Sequence, residues 1–508
     1  MPLPGGEAAA IREGSEGTSM ADSSPETDWK VDITPGDPRG YTRSGGAQDR
    51  FDAAAAALLE KDGWPNPMGV DELRADLALE GGGVKGIGLV GAVLVLAEAG
   101  YTFRGVAGTS AGAIVASLVA ALSRRGRDMT ELRSHMDSLD FREFQPPGLR
   151  NLGRGGPRGL SAGALALAEL TWKTGLDSGD ALGRWLTPIL EGLGVRTFAD
   201  LRLDEAQDPG MSLEADHQFR LVVHTADITR NQLVRLPWDF SRYGHPAGGQ
   251  SVVDAVRASM SIPFYFKPFV FASEKATVAI PTPDGGTTEV TYEAGMETWV
   301  DGGMLRNFPI NAFDRIDGRP PRWPTIGIKL SGLQAHRPPS KACGSSEEVG
   351  IHCLETMTGE WDEYSVDETT AARTIFVDTF GIKAIEFGLT PCQRSELLAS
   401  GIRAATQFVV EMGEAGRVPR TATEAQDLVN CRRAGARLDA DHRPVERTGS
   451  GPAGTCSLCS APFGTPPNGR RGHAPPDGAA VARAHEWLGD RPPTAHRAVV
   501  HRGRTGLS

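Results

Sequence analysis

The residue in this sequence best suited to covalent chemistry is a serine in the pentapeptide Gly-Thr-Ser-Ala-Gly at 108–112. The pattern G-x-S-x-G is typical of a sharp turn between a strand and a helix that presents the serine hydroxyl outwards. Gly108 and Gly112 would let the backbone around Thr109 close this tightly. A helix beginning at Ala111 would direct its free N–H groups to the same point. The pattern therefore predicts that Ser110 is a nucleophile on a strand-to-helix elbow.

A second glycine-rich turn precedes the serine and could supply hydrogen-bond donors to it. Its residues are Gly81, Gly82, Gly83, Val84, Lys85 and Gly86. Since positions 81–83 carry no side chains, their N–H groups could approach a substrate oxygen closely, and the Ala111 N–H would add one more donor. Such donors stabilise the oxyanion of a tetrahedral intermediate. Lys85 would add positive charge near the site, although a lysine here is equally compatible with a solvent-facing position.

The same turn also satisfies G-x-G-x-x-G, so a dinucleotide site has to be weighed against a serine hydrolase. A Rossmann unit places an acidic residue at the end of the next strand, about 20 residues further on. The next predicted strand, 103–107, contains no acidic residue and leads into the serine elbow. A P-loop pattern is also absent. The residues therefore favour the hydrolase.

A serine hydroxyl needs a base, because it is a weak nucleophile at neutral pH. Asp301 follows a predicted strand and opens a turn with Gly302 and Gly303, although an isolated Asp-Gly-Gly is most often only a turn. A Ser…Asp…His triad would need a later histidine, and the first two after Asp301 are His336 and His352. Neither follows a core strand, and surface positions are the more ordinary interpretation for both.

Alternating strand and helix patterns surround these motifs and have to position them. Two strand–helix units in succession predict a parallel sheet with crossover helices, in a three-layer α/β/α fold. Strands are expected at 77–80, 103–107, 219–226, 232–236, 297–300, 325–330 and 374–377. Helices are expected at 51–61, 87–99, 111–123, 164–172, 178–191, 251–259, 346–370 and 391–412, the last with Thr390 as its cap and Pro391 at its first position.

Composition limits the function classes and the surroundings of the protein. The net charge of −11 argues against a general nucleic-acid binder. Six cysteines, all at or beyond Cys343, do not form a disulfide framework, and the CxxC at Cys456 and Cys459 lacks the second pair that a zinc site needs. The sequence shows no secretory leader and no apolar run long enough for a transmembrane helix. We expect a cytoplasmic protein whose membrane contact, if any, is peripheral.

The flanking segments lack periodicity. Residues 1–50 are rich in small, polar and charged residues and are expected to be disordered, as is the tail 432–508. That tail has 12 Arg, no Lys and 6 Asp or Glu, so it is basic, and it is either a tether to anionic lipid or a disordered tail that only aids solubility. The insertion 141–176 mixes Phe, Leu and Arg, and it could either cover an active site or be a plain surface excursion.

The sequence resembles the patatin-like phospholipase family. It contains the motifs EGGGVKG, GTSAG and DGG in this order, each after a predicted strand. Further stretches look familial: TFADL at 197–201, TADITRNQLVRLP at 225–237, ASMSIPFYFKP at 258–268 and VDGGMLRNFPI at 300–310. The resemblance covers 73–330 as a catalytic domain, and 331–415 would be a helical extension of the same domain.

The resemblance implies a Ser–Asp dyad, with Ser110 as the nucleophile and Asp301 as the base. Gly82, Gly83 and Ala111 would form the oxyanion hole within the turn that also contains Gly81, Lys85 and Gly86. The implied activity is hydrolysis of acyl esters in phospholipids or other lipids, of phospholipase A or lysophospholipase type, without a cofactor or a metal. Two alternatives remain: a non-catalytic lipid-binding protein with the same fold, and a Ser–His–Asp esterase.

Overall fold

The computed structural model describes residues 31–34, 40–43, 46–65, 71–144, 180–203, 217–263, 265–282, 286–314, 321, 323–330 and 368–433. Several expectations fall outside these residues. They concern the segment 1–30, most of the insertion 141–176 with its helix 164–172, both candidate triad histidines His336 and His352, most of the helix 346–370, the CxxC pair, and the tail beyond Arg433.

The described residues include nine α-helices and thirteen strands, joined by short 3-10 helices, turns and loops. The helices are α1 (Ala47–Asp62), α2 (Ile87–Glu98), α3 (Ala111–Arg125), α4 (Glu131–Asp137), α5 (Asp180–Gly192), α6 (Val252–Ser259), α7 (Glu368–Ala372), α8 (Pro391–Ala415) and α9 (Ala422–Arg433). The strands are β1 (Val31–Ile33), β2 (Tyr41–Arg43), β3 (Trp64–Pro65), β4 (Asp71–Leu79), β5 (Tyr101–Thr109), β6 (Leu221–Asp227), β7 (Gln232–Leu236), β8 (Phe269–Ser273), β9 (Ala276–Pro281), β10 (Thr287–Tyr292), β11 (Gly295–Asp301), β12 (Thr325–Lys329) and β13 (Thr374–Phe376).

The central sheet is mainly parallel and has the strand order β13-β12-β4-β5-β6-β11-β8, with β3 paired to β4 and β7 paired to β6. The sheet is parallel over β13, β12, β4, β5 and β6. Strand β11 is antiparallel to β6, and β8 is antiparallel to β11. Every residue of β6 and β12 is buried, so neither strand shows the alternation of buried and exposed residues that is typical of a half-exposed strand. The predicted α/β class with helices flanking a mainly parallel sheet is confirmed.

The two faces of the sheet are covered differently near the motifs. Successive crossovers β4-α2-β5 and β5-α3-β6 place α2 and α3 on one face, because such connections are right-handed. Helix α8 packs closely on α2, where a Cβ at Gly401 would lie 2.0 Å from the Gly88 carbonyl oxygen. The other face is covered by the segment after β11, whose Phe308 and Ile310 pack on Ala78 of β4. The serine and aspartate motifs therefore border different layers.

The register on β6 brings the ends of β5 and β11 together. Thr109 of β5 is aligned with His224, and Asp301 of β11 is aligned with the next residue, Thr225. Strand β7 occupies the opposite edge of β6 along Val223–Asp227, so β5 and β11 must share one edge. They reach it from opposite directions, and their ends meet.

Several elements were not expected from the sequence. The pair β1–β2 and the start of α1 show that the fold begins before position 50, and buried Arg43 donates to Glu98 at 2.8 Å and to Thr406 at 3.0 Å. Strands β8, β9 and β10 and helix α9 were also missed. In the β9–β10 hairpin most residues are exposed, so these two strands contribute little to the buried sheet pattern from which the other strands were predicted.

Candidate active site

Ser110 lies on a strained turn between β5 and α3. Its φ is 53° and its ψ is −123°, in a region that a residue with a side chain rarely occupies. A Cβ at Gly108 would lie 2.3 Å from the Gly112 carbonyl oxygen, and a Cβ at Gly112 would lie 2.3 Å from the Leu79 carbonyl oxygen. Both positions therefore need glycine because the backbone comes too close for any side chain.

Ser259 holds the backbone of this elbow from the last residue of α6. The Ser110 N–H donates to the Ser259 Oγ at 2.8 Å, and the Ser259 hydroxyl donates to the His224 carbonyl oxygen at 2.6 Å. Both bonds are buried, so neither is weakened by water. The Ser110 N–H is consequently occupied. Nothing in the sequence singled out Ser259, which lies 149 residues from Ser110.

Asp301 ends β11 and is buried beside the elbow. The Gly303 N–H donates to its Oδ1 at 2.7 Å, and its own N–H donates to the Ser261 carbonyl oxygen at 2.9 Å. Burial raises the pKa of Asp301 from 3.8 to about 7, although the Ser110 side chain and the Gly303 N–H both act to lower it. The carboxyl group therefore changes protonation near neutral pH, as a general base requires.

The second oxygen of this carboxyl group is the atom left for chemistry. Oδ2 of Asp301 is buried and has no hydrogen-bond partner of good geometry within the described ranges. The Ser110 side chain hydrogen-bonds the Asp301 carboxyl group, and this interaction acts to lower the pKa of Asp301. The structure thus brings together the two residues that sequence reasoning assigned to the dyad.

No described histidine hydrogen-bonds Ser110 or Asp301. His224 is the buried histidine of β6 that is aligned with Thr109 of β5. Its pKa is lowered to about 3 by burial and by the positive charges of Arg235 and Arg306. It is therefore neutral at ordinary pH, and its ring nitrogens have no partner among the described residues.

The first glycine turn follows β4 and lies directly against the elbow. A Cβ at Gly81 would be 3.1 Å from the Ser110 Cβ. The Gly81 N–H, however, donates to the Asn307 carbonyl oxygen at 3.1 Å. We expected Gly81 to be part of the group that could donate to an oxyanion, and this is wrong, because its donor is already in use.

Three N–H groups of the expected oxyanion hole remain available. Those of Gly82, Gly83 and Ala111 donate to no acceptor in the part of the chain that the structure describes. Gly83 has a φ of 54°, and a Cβ there would lie 1.9 Å from the Ala384 carbonyl oxygen. The loop after β13 therefore packs on this turn and requires a glycine at 83.

The other members of the turn shape it. Gly86 lets α3 approach, since a Cβ there would lie 3.0 Å from the Ala111 Cβ. Lys85 is half-buried, and its Cε lies 3.3 Å from the place of a Cβ on Gly82. It is therefore close to the donors rather than fully exposed to solvent.

A buried ion pair fixes the strand end just before the turn. Lys329 of β12 donates to the Glu80 Oε1, and the Leu330 N–H donates to the Glu80 Oε2. Both charged side chains are almost fully buried. Such a pair is costly to break once it is buried, because the remaining charge has no partner. The sequence offered no signal for it, since the partners are distant along the chain.

Comparison with known proteins gives the family. The model of the patatin-like phospholipase family matches residues 77–314, which include all three motifs. The uncharacterised protein YqhO of Bacillus subtilis is 30% identical over 334 residues, which cover 66% of this chain and 97% of YqhO.

Solved structures of two bacterial proteins are also similar. VipD from Legionella pneumophila has 18% identity and a TM-score of 0.35 over 68% of this chain and 69% of its own. The type III effector ExoU, of Pseudomonas aeruginosa, has 16% identity and a TM-score of 0.31, and the match spans 54% of its chain. On the family match and the YqhO alignment, the chain belongs to the patatin-like phospholipases, a family of lipid acyl hydrolases.

Proposed function

We propose that this protein is a serine hydrolase of phospholipase A or lysophospholipase type that cleaves lipid acyl esters through an acyl-Ser110 intermediate. The observation that carries the proposal is the pairing of Ser110, on its strained elbow, with the buried Asp301, whose pKa is about 7. A base with a pKa near the working pH combines a useful ionised fraction with enough basicity to accept a proton.

In the first half-reaction Asp301 accepts the Ser110 proton while the Oγ attacks the ester carbonyl carbon. The N–H groups of Gly82, Gly83 and Ala111 stabilise the oxyanion, and the positive end of α3 adds to them. Collapse of the intermediate breaks the bond to the alcohol, which takes the proton from Asp301. The products of this step are the free alcohol or lysolipid and the acyl-Ser110 ester.

In the second half-reaction water replaces the alcohol. Asp301, again ionised, takes a proton from the attacking water, and the same donors stabilise the second oxyanion. The intermediate collapses by breaking the bond to Ser110 Oγ, which recovers a proton from Asp301. A fatty acid is released, and the enzyme returns to its initial state without a cofactor.

Labelling with a fluorophosphonate ester tests this function. We expect stoichiometric labelling of the wild type and of the control, none of Ser110→Ala, and release of fatty acid from a mixed phospholipid panel by both labelled proteins but not by Ser110→Ala. Ser117→Ala is the matched control: Ser117 is a buried serine of α3, the helix that follows Ser110, and its hydroxyl donates to the Ile114 carbonyl oxygen at 2.8 Å. Unlabelled, inactive wild type with a normal fold would favour the non-catalytic lipid-binding alternative.

Access to lipid is the remaining part of the proposal. No helix in the described ranges is long and apolar enough to cross a bilayer. We propose peripheral contact, with the basic tail from Arg432 acting as an electrostatic tether to anionic lipid. Each Arg near such a surface contributes about 1 kcal/mol, and salt screens the attraction. Co-sedimentation with anionic vesicles should therefore fall on truncation after position 431, and equal binding of both chains would exclude the tether.

A further inference from the structure

Asn307 lies between the glycine turn and the Asp301 turn and contacts both. It is buried, with 4% of its surface exposed. Its side-chain Nδ2 donates to the Gly81 carbonyl oxygen at 3.0 Å, and its own carbonyl oxygen accepts the Gly81 N–H at 3.1 Å. Its Oδ1 lies 2.9 Å from the place of a Cβ on Gly303. One residue therefore satisfies both polar backbone groups of Gly81 while packing against the turn that holds Asp301.

The bond to the Gly81 carbonyl fixes the direction of the next N–H. The carbonyl of Gly81 and the N–H of Gly82 belong to the same planar trans peptide unit, so they point in opposite directions. Whatever holds the carbonyl oxygen therefore also aims the Gly82 N–H. Glycine on both sides of this peptide unit makes its rotation easy, because no side chain opposes a flip. The Gly82 N–H must be preorganised to act as an oxyanion donor, yet its peptide unit is free to rotate unless another group holds it.

Asn307 is itself held by the other two motifs. The Thr109 hydroxyl donates to the Arg306 carbonyl oxygen at 3.1 Å, and the Arg306 N–H donates to the Gly302 carbonyl oxygen at 2.8 Å. The residue before Asn307 is therefore tied to the elbow and to the Asp-Gly-Gly turn. Through Asn307, the position of the Gly81–Gly82 peptide depends on both.

We propose that Asn307 is a positioning residue that aims the Gly82 N–H at the reacting carbonyl oxygen. The inference rests on the proposed function, since it concerns the oxyanion hole of that reaction. A positioning role predicts a loss in the transition state rather than in substrate binding. In Asn307→Ala the Gly81 carbonyl loses its partner and the peptide is free to rotate. We expect kcat to fall by about 10- to 100-fold with KM within about twofold, below the loss seen when a donor is removed outright.

The discriminating measurement is inhibition by a trifluoromethyl ketone with an acyl chain, which forms a reversible adduct with the serine and carries an oxyanion. Across wild type, Asn307→Ala and Asn307→Asp, the inhibition constant should rise in proportion to the fall in kcat/KM. Asn307→Asp keeps the shape of the side chain, and its ionised form cannot donate to the Gly81 carbonyl. Asn311→Ala is the matched control, an exposed asparagine of the same segment that contacts Arg373, and it should behave as wild type.

Three outcomes overturn the inference. In the first, Asn307→Ala is as active per folded molecule as Asn311→Ala. In the second, KM rises while kcat holds. In the third, kcat/KM falls but affinity for the trifluoromethyl ketone does not. If Asn307→Ala fails to fold, Asn307→Asp carries the test with the same three outcomes. A wild type that neither turns over esters nor reacts with fluorophosphonate overturns the proposed function instead, and this inference with it.

Discussion

Two aspartates of the same sheet, the buried Asp301 and the half-buried Asp76, have nearly the same pKa but very different surroundings. Burial raises the pKa of each from 3.8 to about 7. Asp76 on β4 accepts the Gly105 N–H at 2.7 Å, hydrogen-bonds the Trp323 side chain, and has the charges of Arg220 and Arg104 nearby. Asp301 has one backbone donor, the Ser110 side chain, and a second oxygen without an ideal partner among the described residues.

The difference shows that a shifted pKa identifies a candidate base only together with what its free oxygen faces. Asp76 is a carboxyl group whose partners are structural, whereas Asp301 faces a serine on a strained turn. Perturbed pKa values occur at functional sites and in structural networks alike. Any result in which the two aspartates affect catalysis equally would therefore contradict the assignment of Asp301 alone as the base.

The largest expected effect is on activity after replacing each aspartate with asparagine. Asp301→Asn should reduce kcat/KM by about 10³-fold or more, because an amide cannot accept the serine proton. Asp76→Asn should leave kcat/KM per folded molecule within about threefold, while thermal unfolding shifts because the Asn amide no longer suits both of its donors. Ester hydrolysis and thermal denaturation of the three purified proteins measure both effects.

The triad alternative is tested in the same assay. His336→Ala and His352→Ala should keep near-wild-type rates under the Ser–Asp mechanism. A folded but inactive variant at either histidine would contradict the dyad and support a Ser–His–Asp esterase.

A smaller effect is expected from adding a methyl group to one glycine near the Ser110–Asp301 pair and to one glycine beside Asp76. Gly82→Ala places a Cβ 2.5 Å from the flexible Leu330 Cδ1 beside the donors, so we expect about a 100-fold loss of kcat with little loss of stability. Gly105→Ala places a Cβ 2.7 Å from the Phe313 ring and 2.8 Å from the Asp76 Oδ1, so stability should fall while activity per folded molecule holds. Equal unfolding of both variants would make the turn at 82 merely structural.

The smallest effect is the dependence of activity on pH. Only ionised Asp301 accepts the serine proton, and its pKa is about 7. The rate constant kcat/KM should therefore rise about tenfold per pH unit below pH 7 and level off above it. His224, with a pKa of about 3, is neutral throughout and does not contribute to this limb. Asp76→Asn should keep the profile unchanged; a profile that moves with Asp76, or one flat from pH 5 to pH 9, would contradict Asp301 as the base.

The sequence alone was sufficient for features that depend on neighbouring residues. The elbow at Ser110, the glycine turn and the Asp-Gly-Gly turn each need particular backbone conformations, and glycine at fixed offsets reveals them. The strand–helix alternation around them predicted the parallel half of the sheet, since hydrophobic periodicity is a local property. Capping of α8 by Thr390 with Pro391 at its first position was equally local, and the structure shows both.

Only the tertiary structure decided how these local features meet. The shared edge of β6 brings Asp301 to Ser110, and burial of the Asp301 carboxyl then raises its pKa. Ser259 acts on a residue 149 positions away, and Asn307 acts on one 226 positions away. The hydrogen bond of the Gly81 N–H could not be predicted either, because its acceptor, the Asn307 carbonyl oxygen, is equally distant along the chain. Contacts at such separations depend on packing of the whole sheet and its layers, and a single sequence carries no local pattern that specifies them.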